Sequence, residues 1–251
     1  SSAASDVYKR QGCFMGVIIY NCISSEEFAI QVEHPPGYET PEKDYEVTHI
    51  PGRNGDIYVD KGSYKNASRS YDIAIGAENK DFTMMANFIS EWLNSASGYA
   101  KLEDSYEPEY YRLAAYKSGG TIENILQHAG RITVAFDCKP QRFLKSGDIP
   151  VIVRATSKLR NPTGFKSLPI IKVNGSGKGN LRIGDYVITI SNISSYLTID
   201  SELQDAYKGT TNCNSLVTLS NGFPKLIKGE NEISFSGGIT SVEVIPKWWT
   251  L

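Results

Sequence analysis

Little in this sequence points to chemistry. Its 251 residues include only four cysteines, three histidines and three methionines. Cys13, Cys22, Cys138 and Cys213 form no Cys-x-x-Cys pair, and no histidine stands near them at ligand spacing. That argues against a zinc site and against a disulfide scaffold, and leaves free thiols in a reducing compartment as the expectation. No long apolar run exists. The longest, from Phe14 to Tyr20, falls far short of the ~20 residues that cross a bilayer, so a soluble protein without a membrane partner is expected. An excess of one charge is missing too: 26 Lys and Arg against 28 Asp and Glu give −2, with both signs interspersed. A dedicated nucleic-acid or anionic-membrane binder would show a basic excess on one face.

What is present is ordinary globular material: 40% hydrophobic residues, 22 glycines and enough length for one large or two modest domains. Residues 1–14 precede Met15, and Ser1 to Gln11 form a polar run without the apolar core of a signal peptide. Asp6-Val7-Tyr8-Lys9-Arg10-Gln11 is what one end of a transposase-type sequencing adapter encodes. These residues therefore read as a non-native tail, with a natural start at Met15 and a genuine disordered tail as the other reading.

Between Met15 and Glu33, Phe28, Ile30 and Val32 alternate with Ala29, Gln31 and Glu33, which predicts a strand with one buried face. Tyr45–Ile50, a turn at Pro51-Gly52-Arg53-Asn54-Gly55-Asp56 and Ile57–Val59 predict a hairpin. The one notable helix is expected over 81–94, with Phe82, Met85, Phe88, Ile89, Trp92 and Leu93 as a buried stripe. Strands follow around Gly98–Leu102, Tyr110–Lys117 and Gly130–Lys139. A composition shift near 145–150 marks a domain boundary, giving domains of 15–147 and 148–251. The second half shows seven short strand-like runs between Pro169 and Pro246, separated by turn clusters, which is the pattern of an antiparallel β-sandwich. The fold class is thus mainly β with one helix: an α+β N-terminal domain and a C-terminal sandwich.

The candidate sites are weak. Gly175-Ser176-Gly177-Lys178-Gly179 lacks the following helix that a phosphate loop needs, so a flexible hairpin turn is expected there. His34, His49 and His128 lie in no ligand or triad motif. Glu103-Asp104, Glu107 and Glu109, beside Tyr106, Tyr110 and Tyr111, read as a solvated acidic loop rather than a catalytic carboxylate pair. Neither an enzyme nor a cofactor is indicated. Fifteen tyrosines favour binding surfaces, protein or sugar.

Several segments together resemble the distal tail protein family of long-tailed, non-contractile bacteriophages. Met15-Gly16-Val17-Ile18-Ile19-Tyr20-Asn21 with Ser24-Ser25-Glu26-Glu27-Phe28 is similar to the family's start, although Cys22 stands where glycine is expected. Pro51-Gly52-Arg53-Asn54-Gly55-Asp56, Trp92-Leu93, Leu102-Glu103-Asp104, Tyr110-Tyr111 and Phe136-Asp137-Cys138-Lys139-Pro140 are similar to the first domain. Asn161-Pro162-Thr163, Pro169–Val173, Gly175-Ser176-Gly177, Ile199-Asp200-Ser201-Glu202, Phe223-Pro224-Lys225-Leu226 and Pro246–Leu251 are similar to the second.

The resemblance implies a structural hub at the virion tail tip, assembled in the bacterial cytoplasm. It implies a hexameric ring made by the first domain and a galectin-like sandwich as the second. The implied partners are further copies of the chain, the tail tube protein and the tail-associated baseplate protein. Receptor-binding or side-fibre proteins are further implied partners, and DNA would pass through a central channel without specific binding. An exposed hairpin edge invites pairing with a neighbour, so Pro51, Gly52, Arg53, Asn54 and Gly55 become candidate ring-interface residues. A carbohydrate-binding module contacting the host cell wall is the alternative.

Overall fold

The structure is a computed structural model and describes residues 16–28, 30–37, 40–76, 82–119, 123–126 and 129–251. The 1–14 tail, the start at Met15, the Asn79 to Asp81 helix entry and His128 lie outside the described residues. The chain divides into two compact units, residues 1–142 with Leu251, and 143–250. Among the described residues no helix is long and apolar enough to cross a membrane.

The N-terminal unit contains β1 (Ile18–Tyr20), β2 (Ile23–Ser24), β3 (Ile30–Val32), β4 (Lys43–Thr48), β5 (Ile57–Tyr64), β6 (Ala67–Gly76), α1 (Phe82–Leu93), β7 (Ala100–Asp104), β8 (Tyr110–Gly119), β9 (Glu123–Leu126) and β10 (Ala129–Leu144). Its main sheet runs β2-β1-β7-β8-β10-β6-β3, with β9 also on β10. The single strand expected over 15–33 is instead interrupted twice. Asn21 and Cys22 take φ of 52° and 66° in the tight turn joining β1 to β2, and Ser25–Phe28 forms one turn of 3-10 helix. Ser25 is buried, and its hydroxyl accepts the Ile18 amide at 3.2 Å. That side-chain bond competes with a continuous ladder.

Tyr71, Ile73 and Ile75 of β6 alternate inward against Ile132, Val134 and Phe136 of β10, and α1 closes this core with Met85, Ile89, Trp92 and Leu93. Trp92 donates its indole N–H to the Tyr20 carbonyl at 3.1 Å, so the large ring is buried with its polar atom satisfied. The expected stripe needs one correction: Phe88 is exposed, as is Met84. At 100° per residue, Met85, Ile89, Trp92 and Leu93 span a narrow arc, and Phe88 falls at its flank.

The C-terminal unit contains β11 (Val151–Val153), β12 (Ser157–Asn161), β13 (Ile170–Ile183), β14 (Tyr186–Asp200), β15 (Asp205–Lys208), β16 (Thr211–Asn212), β17 (Val217–Leu219) and β18 (Gly229–Ile245). The seven short runs are in fact largely three long antiparallel strands, β18-β13-β14, each bent at one level. One half of β18 pairs with β12 and the other with β11, and β14 is likewise shared between β17 and β15. Both halves bury their inner residues in one core, from Leu181, Ile183, Ile188 and Ile233 to Ile171, Val173, Ile199 and Val242. A sheet folded back on itself in this way is a sandwich.

The bend explains why the sequence read as short strands. Register shifts fall between Gly177 and Gly179 against β14, and on both sides of Gly175 against β18. Each extra residue flips the inward phase: β14 buries Ile188 and Ile190, then Ile193, Leu197 and Ile199. The Gly-rich segment is therefore no hairpin turn but the bulged middle of β13. A Cβ on Gly175 would meet the backbone of Gly238 and Ile239, and one on Gly238 would meet the Ser176 carbonyl. Glycine here allows backbones to approach.

Candidate functional site

The β4–β5 hairpin stands apart as its own two-stranded sheet. Its register pairs Tyr45 with Asp60, Glu46 with Val59, Val47 with Tyr58 and Thr48 with Ile57. The connecting turn is closed by Arg53 N–H to the Ile50 carbonyl at 3.2 Å and by His49 Nδ1 against Asp56 Oδ1 at 2.9 Å. Gly52 and Gly55 take φ of 80° and 82°, which side chains disfavour, and this accounts for both glycines of the turn motif. All five expected interface residues, Pro51, Gly52, Arg53, Asn54 and Gly55, are brought together at this exposed tip.

The hairpin's charges are mostly matched within it. Lys43 bonds Asp60 at 3.1 Å, Lys61 meets Asp44 at 3.4 Å and Lys65 meets Glu42 at 3.5 Å. The Gly62 amide and then Lys43 hold the Asp60 carboxyl below its usual range, and Asp60 in turn raises the Lys43 ammonium. What remains is apolar and uncovered: Tyr58 is 64% exposed, Val59 52% and Val47 50%. Tyr45 and Tyr58 meet edge to face, with ring centroids 5.7 Å apart. A hairpin with neither face packed is marginal alone, and these side chains form an exposed apolar patch.

In the acidic stretch at the end of β7, Glu109 is solvent-exposed as expected, but Asp104 and Glu107 do not lie in a solvated loop. Asp104 is buried and Glu107 nearly so, and both sit in a cationic cage. Asp104 Oδ2 accepts from Arg69 Nη2 at 2.9 Å and from the Tyr71 hydroxyl at 2.7 Å, while Oδ1 takes the Tyr106 and Glu107 amides at 3.0 and 2.9 Å. Glu107 is held by Arg112 Nη1 and Arg142 Nη1, both at 2.6 Å, and by Arg69 at 3.1 Å. Arg142 also donates to the Leu251 backbone oxygen at 2.6 Å.

Burial alone would raise both carboxyls. Hydrogen bonds from Tyr71 and Arg69 with the Arg69 charge reverse this for Asp104, and Arg112, Arg69 and Arg142 reverse it for Glu107, so both lie below their ordinary values. Burial likewise opposes the charged Arg69, yet Tyr71 and Asp104 raise it above its ordinary value. With four bonds on its two oxygens, Asp104 has no lone pair left for a substrate proton. The cage is a structural tie between β6, β7 and β10. Sequence could not place it, because Arg69 and Asp104 meet only through the fold.

The other candidates disperse. His34 is exposed in the turn after β3, and His49 is the hairpin's clasp. Among the described residues no group of three or more His, Cys, Asp or Glu is placed to hold a metal. Cys22 is exposed while Cys138 and Cys213 are buried. The tyrosine surplus divides: Tyr20 and Tyr71 are fully buried core, whereas Tyr45, Tyr58 and Tyr99 face outward.

No family model matches the sequence, and no curated protein matches it. Among solved structures, the Dit protein (gp 19.1) of phage SPP1 aligns with a TM-score of 0.73 at 11% identity. The alignment covers 94% of this chain and 99% of that one, which is described as a paradigm of the hub adsorption apparatus in phages infecting Gram-positive bacteria. A chain of the phage P2 baseplate, in its activated conformation with Ca, aligns at 0.48 and 11% identity over 92% and 97% of the two chains. The protein thus has the fold of the SPP1 Dit protein, through both units.

Proposed function

We propose that this protein is a structural component of a phage tail tip, a distal tail protein whose copies close into a hexameric ring. The observation that carries the reading is the two-unit match to a hub protein of an adsorption apparatus, end to end at a TM-score of 0.73. In this reading the N-terminal unit makes the ring and the Pro51–Gly55 hairpin contributes to the contact between neighbours. The C-terminal unit is a galectin-like sandwich directed outward, where it anchors receptor-binding or side-fibre proteins. The tail tube protein joins one side of the ring and the tail-associated baseplate protein the other.

The near-neutral charge suits a channel that DNA traverses, since grip on phosphates would need clustered cations. Asp104, with both oxygens taken up by Arg69, Tyr71 and two backbone amides, serves in this reading as a structural carboxylate. Size-exclusion chromatography with light scattering and negative-stain imaging test the ring, on the full chain and on the chain begun at Met15. Six-fold annular particles are expected, alone or with the tube or baseplate partner. A monomer that persists at high concentration and with both partners rejects the reading.

A further inference from the structure

A closed ring uses two different surfaces of each subunit, one meeting the other on the next copy. Among the described residues of the N-terminal unit, two surfaces expose large apolar side chains in clusters. One is the hairpin face of Tyr45, Val47 and Tyr58. The other is the outer flank of α1, where Met84 and Phe88 are each 45% exposed. Met84, Phe88 and Glu91 stand at i, i+4 and i+7, so they form one stripe about 10 Å long.

That stripe is unlike an ordinary solvent face. Helix α1 carries a single charge, Glu91, among Thr83, Met84, Asn87, Phe88 and Ser90. Depletion of charge with enrichment of Met and aromatic residues marks interface cores.

The leftover charges complement one another. Within the hairpin, Lys43, Lys61, Lys65 and His49 each have an acidic partner, and Arg53 at the tip is the cation without one among the described residues. Glu91 likewise has no partner among them. The hairpin face therefore carries three exposed apolar side chains with an unmatched cation at the tip, and the helix flank carries two with an unmatched anion at their end.

We infer that the hairpin of one copy lies across α1 of the next, with Tyr45, Val47 and Tyr58 against Met84 and Phe88 and with Arg53 paired to Glu91. This rests on the ring reading above and names the two surfaces that close it. The occupant of each is a second copy of this chain. The contact covers the exposed apolar side chains of the hairpin, and it buries the helix flank of Met84 and Phe88.

Charge reversal tests it on the full chain. Arg53→Glu and Glu91→Lys are each expected to weaken ring formation roughly tenfold or more in concentration-dependent light scattering, and the double reversal to restore it. Both sites are exposed, and circular dichroism verifies that each variant is folded. As a second readout, a photo-crosslinking amino acid at Phe88 is expected to give intermolecular products that map to residues 45–58 of the neighbour. Rings unaffected by either reversal, no recovery in the folded double variant, or crosslinks elsewhere overturn the inference while leaving the ring intact. If the unaltered chain forms no ring under any condition, both readings fall together.

Discussion

Arg69 Nη2 lies 2.9 Å from Asp104 Oδ2, with the two side chains only 6% and 2% exposed, so β6 and β7 are tied by an ion pair that has left water. Such a pair is favourable only while every partner is present, because each ion was desolvated to reach its place. Tyr71 and two backbone amides complete the shell around Asp104.

Removing one partner should therefore cost far more than an exposed bridge. Asp104→Ala strands the Arg69 guanidinium and the Tyr71 hydroxyl, and it is expected to destabilise the N-terminal unit by about 3–5 kcal/mol. Lys158→Ala breaks the solvent-screened pair with Glu230 at 2.8 Å and is expected to leave stability nearly unchanged. Urea unfolding followed by tryptophan fluorescence and circular dichroism measures both. Equal effects would mean that the cage is not a stabilising tie.

Acid should act through the same cage. Asp104 and Glu107 both lie below their ordinary values in the fold, so the folded state holds fewer protons than the unfolded chain as pH falls. Their stabilisation is fully present above the unfolded values of about 3.9 and 4.3, and it is lost as pH drops through the lower folded values. Calorimetry from pH 7 to pH 2 is expected to show the melting temperature falling below about pH 4. Asp104→Asn should flatten part of that fall, and an unchanged profile in the variant would assign the acid sensitivity to other carboxylates.

Much of this architecture was legible because it is local. Met85, Ile89, Trp92 and Leu93 announce α1 by spacing, and the Pro51–Gly55 motif announces the hairpin turn through glycines that take positive φ. The missed features come from relationships across the chain. Asp104 reads as a loop acid until β6 brings Arg69 to it. The Gly175–Gly179 segment reads as a turn until Gly238 is seen against Ser176. Phe88 reads as core because a helical stripe shows which residues share a face, not how far the sheet beneath extends.

The glycines at the bend of the C-terminal sheet give a prediction confined to that unit. A methyl on Gly238 would collide with the Ser176 carbonyl, and backbone cannot yield as a flexible side chain can. Gly238→Ala is expected to destabilise by about 2–3 kcal/mol, at the upper end of overpacking costs. Gly164→Ala, with open space and no strained φ, should be nearly neutral. Thermal melts of the two variants compare them directly, and similar midpoints would mean that the bend tolerates separation of β13 and β18.

The turn between β1 and β2 offers a gain rather than a loss. Tyr20 pairs with Ile23, so Asn21 and Cys22 are the two central residues of a two-residue hairpin loop, and both are left-handed. That loop type favours Asn followed by Gly, because the second position places a Cβ in a crowded conformation. Asn21 already suits its place; Cys22 does not, and its thiol is exposed. Cys22→Gly is expected to stabilise the N-terminal unit by about 0.5–1 kcal/mol, the relief of native strain exceeding the added freedom of the unfolded chain. Cys22→Val, β-branched at the same φ, should destabilise by a similar or larger amount. Chemical denaturation of the two variants against the parent chain decides it: if Gly and Val shift the midpoint in the same direction, strain at this turn does not govern stability there.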